Sequence, residues 1–390
     1  MDTNDFLGSF AQENVSFQTS VVKTAVTGQN YWTVMIFVEP TRFVDTTQTG
    51  WESVAGSSTI KALSVTADDY TSFVVDNLLR SWLSDLFING FTGNCILVST
   101  GVDIAAGDTP DFGPFNTALE TAYGLLKAYA YHKTVLAGAT ATALEPTIAV
   151  KLAQLCAADG YLSSAPYYPM STATPETLAS DPIYTALNTA SVDAYLTYHA
   201  DATRNGALYS LGVSLATVSD NGSGTCVGNS YDMVKSNNIT SSGADDTVLS
   251  TTIKSILSVA NIQYFKPVGD NTGYVASIGA SSLKGTIMQA QWIISYITYM
   301  TKVAVATLIT TPNYLRNASN YSSILIVMKG YLDLFGNSGS GRLTNTVITA
   351  PSFANIPASA GDTIIIQNAW RATYVDQVRN VQITGALYIG

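Results

Sequence analysis

Apolar and polar residues alternate with period two near both ends of this chain. In "ENVSFQTSVV", Val15, Phe17, Thr19 and Val21 fall on one side, and Asn14, Ser16, Gln18 and Ser20 on the other. In "NVQITGALYIG", Val381, Ile383, Leu387 and Ile389 share a face. Both stretches read as half-buried strands. Such a strand either closes its own sheet or pairs with the edge of another.

Between them the period changes repeatedly. Trp32, Val34, Ile36 and Val38 lie in a continuous β-rich run ended by Pro40, the pattern of a fully buried strand. The stretch from Thr66 to Ile88 predicts a helix. Thr66 and Asp69 stand at capping-box spacing, Val75, Leu78, Leu79, Trp82, Leu83 and Leu86 form the apolar stripe, and Gly90 ends it. "GNCILVSTG" predicts a second buried strand, "NTALETAYGLLKAYAYH" a helix, "KTVLAGA" a strand, and "EPTIAVKLAQLCAADG" a helix with Pro146 in its first turn. Strands alternating with helices imply an α/β layer with a partly parallel sheet.

Residues 161–243 are looser, with Pro-rich, Gly-rich and Asn-rich loops around an amphipathic stretch at Ile183–Leu187 and a strand-like "VDAYLTYH". From 244 on, "DDTVLSTTIKSILSVAN" predicts a helix and "IQYFKPVGDNTGYVASIG" a hairpin. A long apolar helix follows at 286–311, then a further helix in "NYSSILIVMKGYLDLF", and strands in "TIIIQN" and at the C-terminus. The fold expected is mixed α/β and α+β. The expected division is an extended arm at 1–24, an α/β domain at 25–243 with a loop-rich insertion at about 161–243, a helix-plus-sheet domain at 244–370, and a β-strand arm at 371–390.

Composition narrows the function. Of 390 residues, 47% are apolar and only 12% charged, about half the usual charged share. A surface so poor in charge solvates weakly, which points to coverage by other subunits. The net charge of −10 and the absence of a Lys/Arg cluster argue against binding nucleic acid. Gln289, Gln291 and Lys302 interrupt the apolar run at 286–311, which reads as a buried helix and not as a membrane span. The first residues, "MDTNDFLGSF", hold no apolar core of signal-peptide length. Cys95, Cys156 and Cys226 are scattered, with neither disulfide nor metal spacing.

No catalytic constellation emerges. His132 and His199 stand apart from any Cys, Asp or Glu at ligand or triad spacing. "GSGTCVG" (222–228) lacks the dinucleotide-loop spacing, and "GASSLKGT" (279–286) lacks the P-loop order. Asp68–Asp69 and Asp245–Asp246 precede helices, where carboxylates favour the positive dipole end. No catalytic, cofactor-binding or metal residue is therefore assigned, and no cofactor is expected.

The order of elements around "LFINGFTGNCILVSTG" resembles the early α/β portion of the contractile-tail sheath proteins of bacteriophages. The later part is also similar. It runs from "NIQYFKPVGDNTGYVASIGASSLKG" through the helix bearing Trp292, a second helix and a Gly-rich loop to the terminal "NVQITGAL". The resemblance covers about the first third and the last 145 residues and leaves 161–243 unmatched. It implies a non-enzymatic virion subunit assembled in the host cytoplasm. Such subunits form a helical homo-oligomer of hexameric rings around a tail tube protein, bounded by baseplate and tail terminator proteins, without membrane insertion. It further implies that the terminal arms add strands to neighbouring subunits. Val15, Phe17, Val21, Val381, Ile383, Leu387 and Ile389 are then the subunit-interaction residues. Another virion role, as tail tube or capsid protein, stays open as an alternative, and an α/β enzyme stands behind both.

Overall fold

A run of strands buried on both faces has to be covered by helices on both sides. All five residues of β1 (Val34–Val38), β4 (Cys95–Ser99) and β5 (His132–Leu136) are buried. The structure, a computed structural model, describes residues 33–74, 76–104, 110–138, 144–160, 163–171, 176–216, 235–236, 238–243, 248–267, 275–279, 281–309, 317–336, 342–355 and 370–374. The chain divides into two compact units, Met1–Arg316 and Asn317–Gly390.

In the first unit, β1 lies between β4 and β5 and runs parallel to both. On the far side of β4, the antiparallel strands β3 (Lys61–Val65) and β2 (Glu52–Ser53) complete a sheet of order β2-β3-β4-β1-β5. A second sheet has the order β6-β7-β9-β10-β8. Its strands are β6 (Tyr167–Met170), β7 (Tyr195–Tyr198), β8 (Lys235–Ser236), β9 (Gln263–Pro267) and β10 (Val275–Ile278). Strands β6, β7 and β9 are parallel, and β9–β10 is antiparallel, the hairpin the sequence predicts. The two sheets abut at β5 and β6: Ser164 N donates to Tyr131 O at 3.0 Å, and Thr134 Oγ1 donates to Tyr167 O.

Strand alternation sorts the side chains between two faces. Met35, Phe37, Ile96, Val98 and Val135 meet α2 (Gly113–Leu126) through Phe115 and Leu119, and α3 (Pro146–Ala158) through Ile148 and Leu152. Leu187 of α4 (Pro182–Thr189) joins the same core. On the opposite face, α5 (Gly206–Ala216) starts so close to β7 and β9 that a Cβ on Gly206 would sit 2.6 Å from Thr197 and 2.8 Å from Phe265. Helix α1 (Asn77–Phe87) crosses α5, and after α6 (Thr251–Val259) the long α7 (Met288–Ile309) lays Trp292 edge-on to His132 at 5.9 Å.

The expected helix from Thr66 is broken in two. A single turn, Tyr70–Phe73, ends where Val74 turns extended, and α1 starts anew with Asp76 accepting from Leu79 N at 2.9 Å. A β-branched Val74 two residues before the strong capping Asp76 explains the restart. Asp69 still accepts from Thr66 N at 2.6 Å, the reciprocal half of a capping box. The expected stripe Leu78, Leu79, Trp82, Leu83 and Leu86 is buried, while Val75 lies outside the described residues.

β6, α4, β7 and α5 all fall in the stretch that the sequence presents as a loop-rich insertion. β9 and β10 complete their sheet from beyond 243, so the expected boundary at 243/244 falls inside one sheet. Burial explains the missing signal. Nine of the eleven residues of α5 are buried, so the helix has no polar face to set a period.

In the second unit, Asn317 caps α8 (Ala318–Phe335) by accepting from Asn320 N at 2.8 Å. The helix buries Tyr321, Ile324, Met328, Leu332 and Phe335, one side of a 3.6-residue period. Tyr321 donates through its hydroxyl to Pro351 O at 2.7 Å. Strands β11 (Leu343–Ile348) and β12 (Trp370–Tyr374) pair antiparallel, with a register shift between Thr344 and Val347 where Asn345 takes φ 52°. The strand expected in "TIIIQN" and the one at 381–389 lie outside the described residues.

Candidate assembly surfaces

All seven residues assigned to strand exchange, Val15, Phe17, Val21, Val381, Ile383, Leu387 and Ile389, lie outside the described residues. The described residues of the second unit include one small sheet with open edges. β11 and β12 form a two-stranded sheet, so each keeps one side without a partner strand among the described residues. Unpaired backbone rows of this kind are templates for added strands. Val347 on β11 is 42% exposed, and Ile326 on the outer side of α8 is 71% exposed.

The described residues weighed for chemistry are held by hydrogen bonds within the fold. His132 opens β5 in the core, with Nδ1 3.0 Å from the Tyr167 hydroxyl. His199 Nδ1 accepts from Asp201 N at 3.1 Å, and Nε2 lies 3.3 Å from Thr240 Oγ1. In the 279–286 loop, Ser282 Oγ donates to Asp193 at 2.7 Å, Lys284 N donates to the same carboxylate at 3.0 Å, and Lys284 Nζ donates to Ser191 O. That lysine and that serine are tied to the body of the fold, an arrangement unlike a phosphate cradle. Cys95 and Cys156 are buried, and burial pushes both thiols up from their ordinary value. The 222–228 loop, Cys226 and Asp245–Asp246 lie outside the described residues. No group of His, Cys, Asp and Glu among the described residues is placed to hold a metal ion. No described helix is long and apolar enough to cross a membrane.

Sequence reasoning missed two buried polar networks. In one, Asp85 of α1 is 1% exposed and accepts from Arg204 Nη2 at 2.7 Å and from Asn205 N at 2.7 Å. In the other, Lys133 of β5 is fully buried. Its Nζ donates to Ala130 O and to Ser163 Oγ, and it lies 5.4 Å from the centre of the Tyr123 ring. Asp159 nearby accepts from Lys127 at 2.6 Å and from the Tyr123 hydroxyl at 2.8 Å. Desolvation pulls Lys133 down to about 8. The unfolded chain keeps this proton to about 10.5, so between the two values the unfolded state binds more protons and stability rises with pH. Lys133→Met is expected to remove that rise. The check is the wild-type-minus-variant difference in unfolding free energy, which is predicted to grow from pH 8 to 9; a flat difference contradicts it.

No known protein family matches the sequence, and no curated protein matches it. A solved structure does. A chain in the cryo-EM structure of the anti-feeding prophage baseplate, six-fold symmetrised, is similar with a TM-score of 0.60 at 13% identity, over 95% of this chain and 99% of that one. At that identity the likeness establishes a shared fold across nearly the whole of both chains.

Proposed function

We propose that this chain is a structural subunit of a contractile, phage-tail-like machine, specifically a sheath subunit. The observation that carries the proposal is the near-complete likeness to a chain of a six-fold prophage baseplate structure. The low charged fraction, 12%, supports a surface covered by other subunits. Subunits stack as hexameric rings in a helix around a tail tube, between baseplate and terminator proteins. Terminal strands 13–22 and 381–389 add to sheets of neighbours, with Val15, Phe17 and Val21 at one end and Val381, Ile383, Leu387 and Ile389 at the other on the buried faces. Backbone hydrogen bonds, about 0.5–1.5 kcal/mol net each, keep the lattice linked while it shortens. Better-packed contacts in the shortened state supply the free energy that drives the tube through the host envelope, with no chemistry by this chain.

The neighbour's description favours a second reading, a subunit of the baseplate itself, which closes as a ring and does not extend as a helix. Deleting residues 380–390 tests the strand exchange, and the assembly of the full chain separates the two readings. The sheath reading expects a folded monomer that no longer forms tubes, and Ile383→Asp is expected to do the same by placing a charge on the buried face, at several kcal/mol, roughly. Tubes of normal length from the truncated chain contradict strand exchange. Closed rings from the full chain, without tubes, favour the baseplate reading.

A further inference from the structure

The first sheet reverses its direction of winding at β1. From β1 the chain goes to β4 on one side, then returns across β1 to β5 on the other. In open α/β sheets the crevice outside the carboxyl ends of the strands at such a point is where ligands settle. Among the described residues, the buried side chain of Glu39 lies at that point. Glu39, the residue after β1, is 2% exposed. Its Oε1 accepts from Ile104 N at 3.0 Å, reaching the segment after β4. Its Oε2 lies 3.6 Å from Arg42 Nη1, and the same guanidinium nitrogen donates to Gly138 O, in the segment after β5. The backbone joins in, with Glu39 N donating to Leu136 O at 3.3 Å and Thr100 N to Val38 O at 3.3 Å. One carboxylate thus ties together the segments that leave three parallel strands.

We propose that Glu39 is an acid-sensitive tie: its protonation frees Ile104 and Arg42, and so loosens the rim of the sheet while the sheet itself stays folded. The charges that face Glu39 are Arg42, which holds it ionised, and Asp103, which opposes ionisation. Asp103 is itself engaged, accepting from Thr41 N at 2.8 Å and from Thr41 Oγ1. Burial pushes Glu39 above the ordinary glutamate value, against the Ile104 and Gly138 backbone amides and Arg42. The folded chain therefore takes up this proton more readily than the unfolded chain. As pH falls through that window, Glu39 adds to global stability even as its local bonds weaken. A neutral acid accepts a hydrogen bond less strongly than a carboxylate and has no attraction for a guanidinium.

The test is residue-resolved hydrogen exchange of the full chain, read as protection relative to the intrinsic rate at each pH. Protection of the Ile104 amide is expected to fall about tenfold from pH 7 to pH 4.5, while amides in β1 and β5 keep theirs. In Glu39→Gln, which keeps an acceptor but never ionises, Ile104 protection is expected to be low at every pH and flat. In Asp103→Asn the wild-type fall is expected to persist. Flat Ile104 protection in the wild type overturns the proposal, and that measurement alone decides if the glutamine variant does not fold. A fall that persists in Glu39→Gln, or one that vanishes in Asp103→Asn, also overturns it.

Discussion

Gly212→Ala is expected to destabilise the chain by about 3 kcal/mol or more, or to prevent folding, although alanine normally favours a helix by about 1 kcal/mol over glycine. Gly212 sits where α5 crosses α1. A Cβ there would lie 2.0 Å from the carbonyl oxygen of Leu86 and 2.9 Å from its carbonyl carbon. Those are backbone atoms of a helix, so no rotamer change makes room and the two helices have to separate. Separation would loosen the cover that Trp82, Leu83 and Leu86 belong to, all of them buried. Gly124→Ala in α2 is the control, because nothing lies within 4 Å of its Cβ position. It is expected to be neutral or to stabilise by about 0.5–1 kcal/mol. Denaturant midpoints at constant m-value measure both. Equal effects of the two substitutions contradict the close crossing.

Asp85→Ala is expected to cost about 3 kcal/mol, near the lower end for breaking a buried ion pair, because Arg204 is partly exposed and can still reach water. The substitution strips the acceptor from Arg204 Nη2 and from Asn205 N at the start of α5. Asp85→Asn keeps an acceptor and is expected to cost far less. Its cost also depends on pH. Desolvation, opposed by Arg204 and Asn205 N, pushes Asp85 up to about 7 from an ordinary value of 3.8. Between those values the folded state binds more protons than the unfolded state, so the Asp85 contribution shrinks as pH rises. The gap between wild type and Asp85→Asn is therefore expected to narrow from pH 4.5 to pH 7. A gap that widens over this range contradicts the raised value.

Much of the α/β layer is legible in the sequence because its helices have a wet side. The α1 stripe, Pro146 at the start of α3 and the turn-bounded strands β1, β4 and β5 all follow from local pattern. Helix α5 does not, because burial on every side removes the period. β11 does not either. Its "LTNTVI" leaves Val347 half exposed, so alternation carries little contrast. The polar networks were invisible for another reason. Asp85 and Arg204, or Glu39 and Ile104, are distant in sequence, and only the fold brings them within bonding distance. The strand-exchange residues were read from alternation and resemblance, and they lie outside the described residues. At 13% identity, the likeness to a chain of a solved baseplate structure shows the fold alone.

The proposed role requires the chain to polymerise as part of a contractile tail. Negative-stain electron microscopy of the purified full-length chain, concentrated stepwise, tests it most directly. Six-fold rings that stack into hollow tubes wide enough to enclose a tail tube are expected. Discrete single-chain particles at every concentration would contradict it.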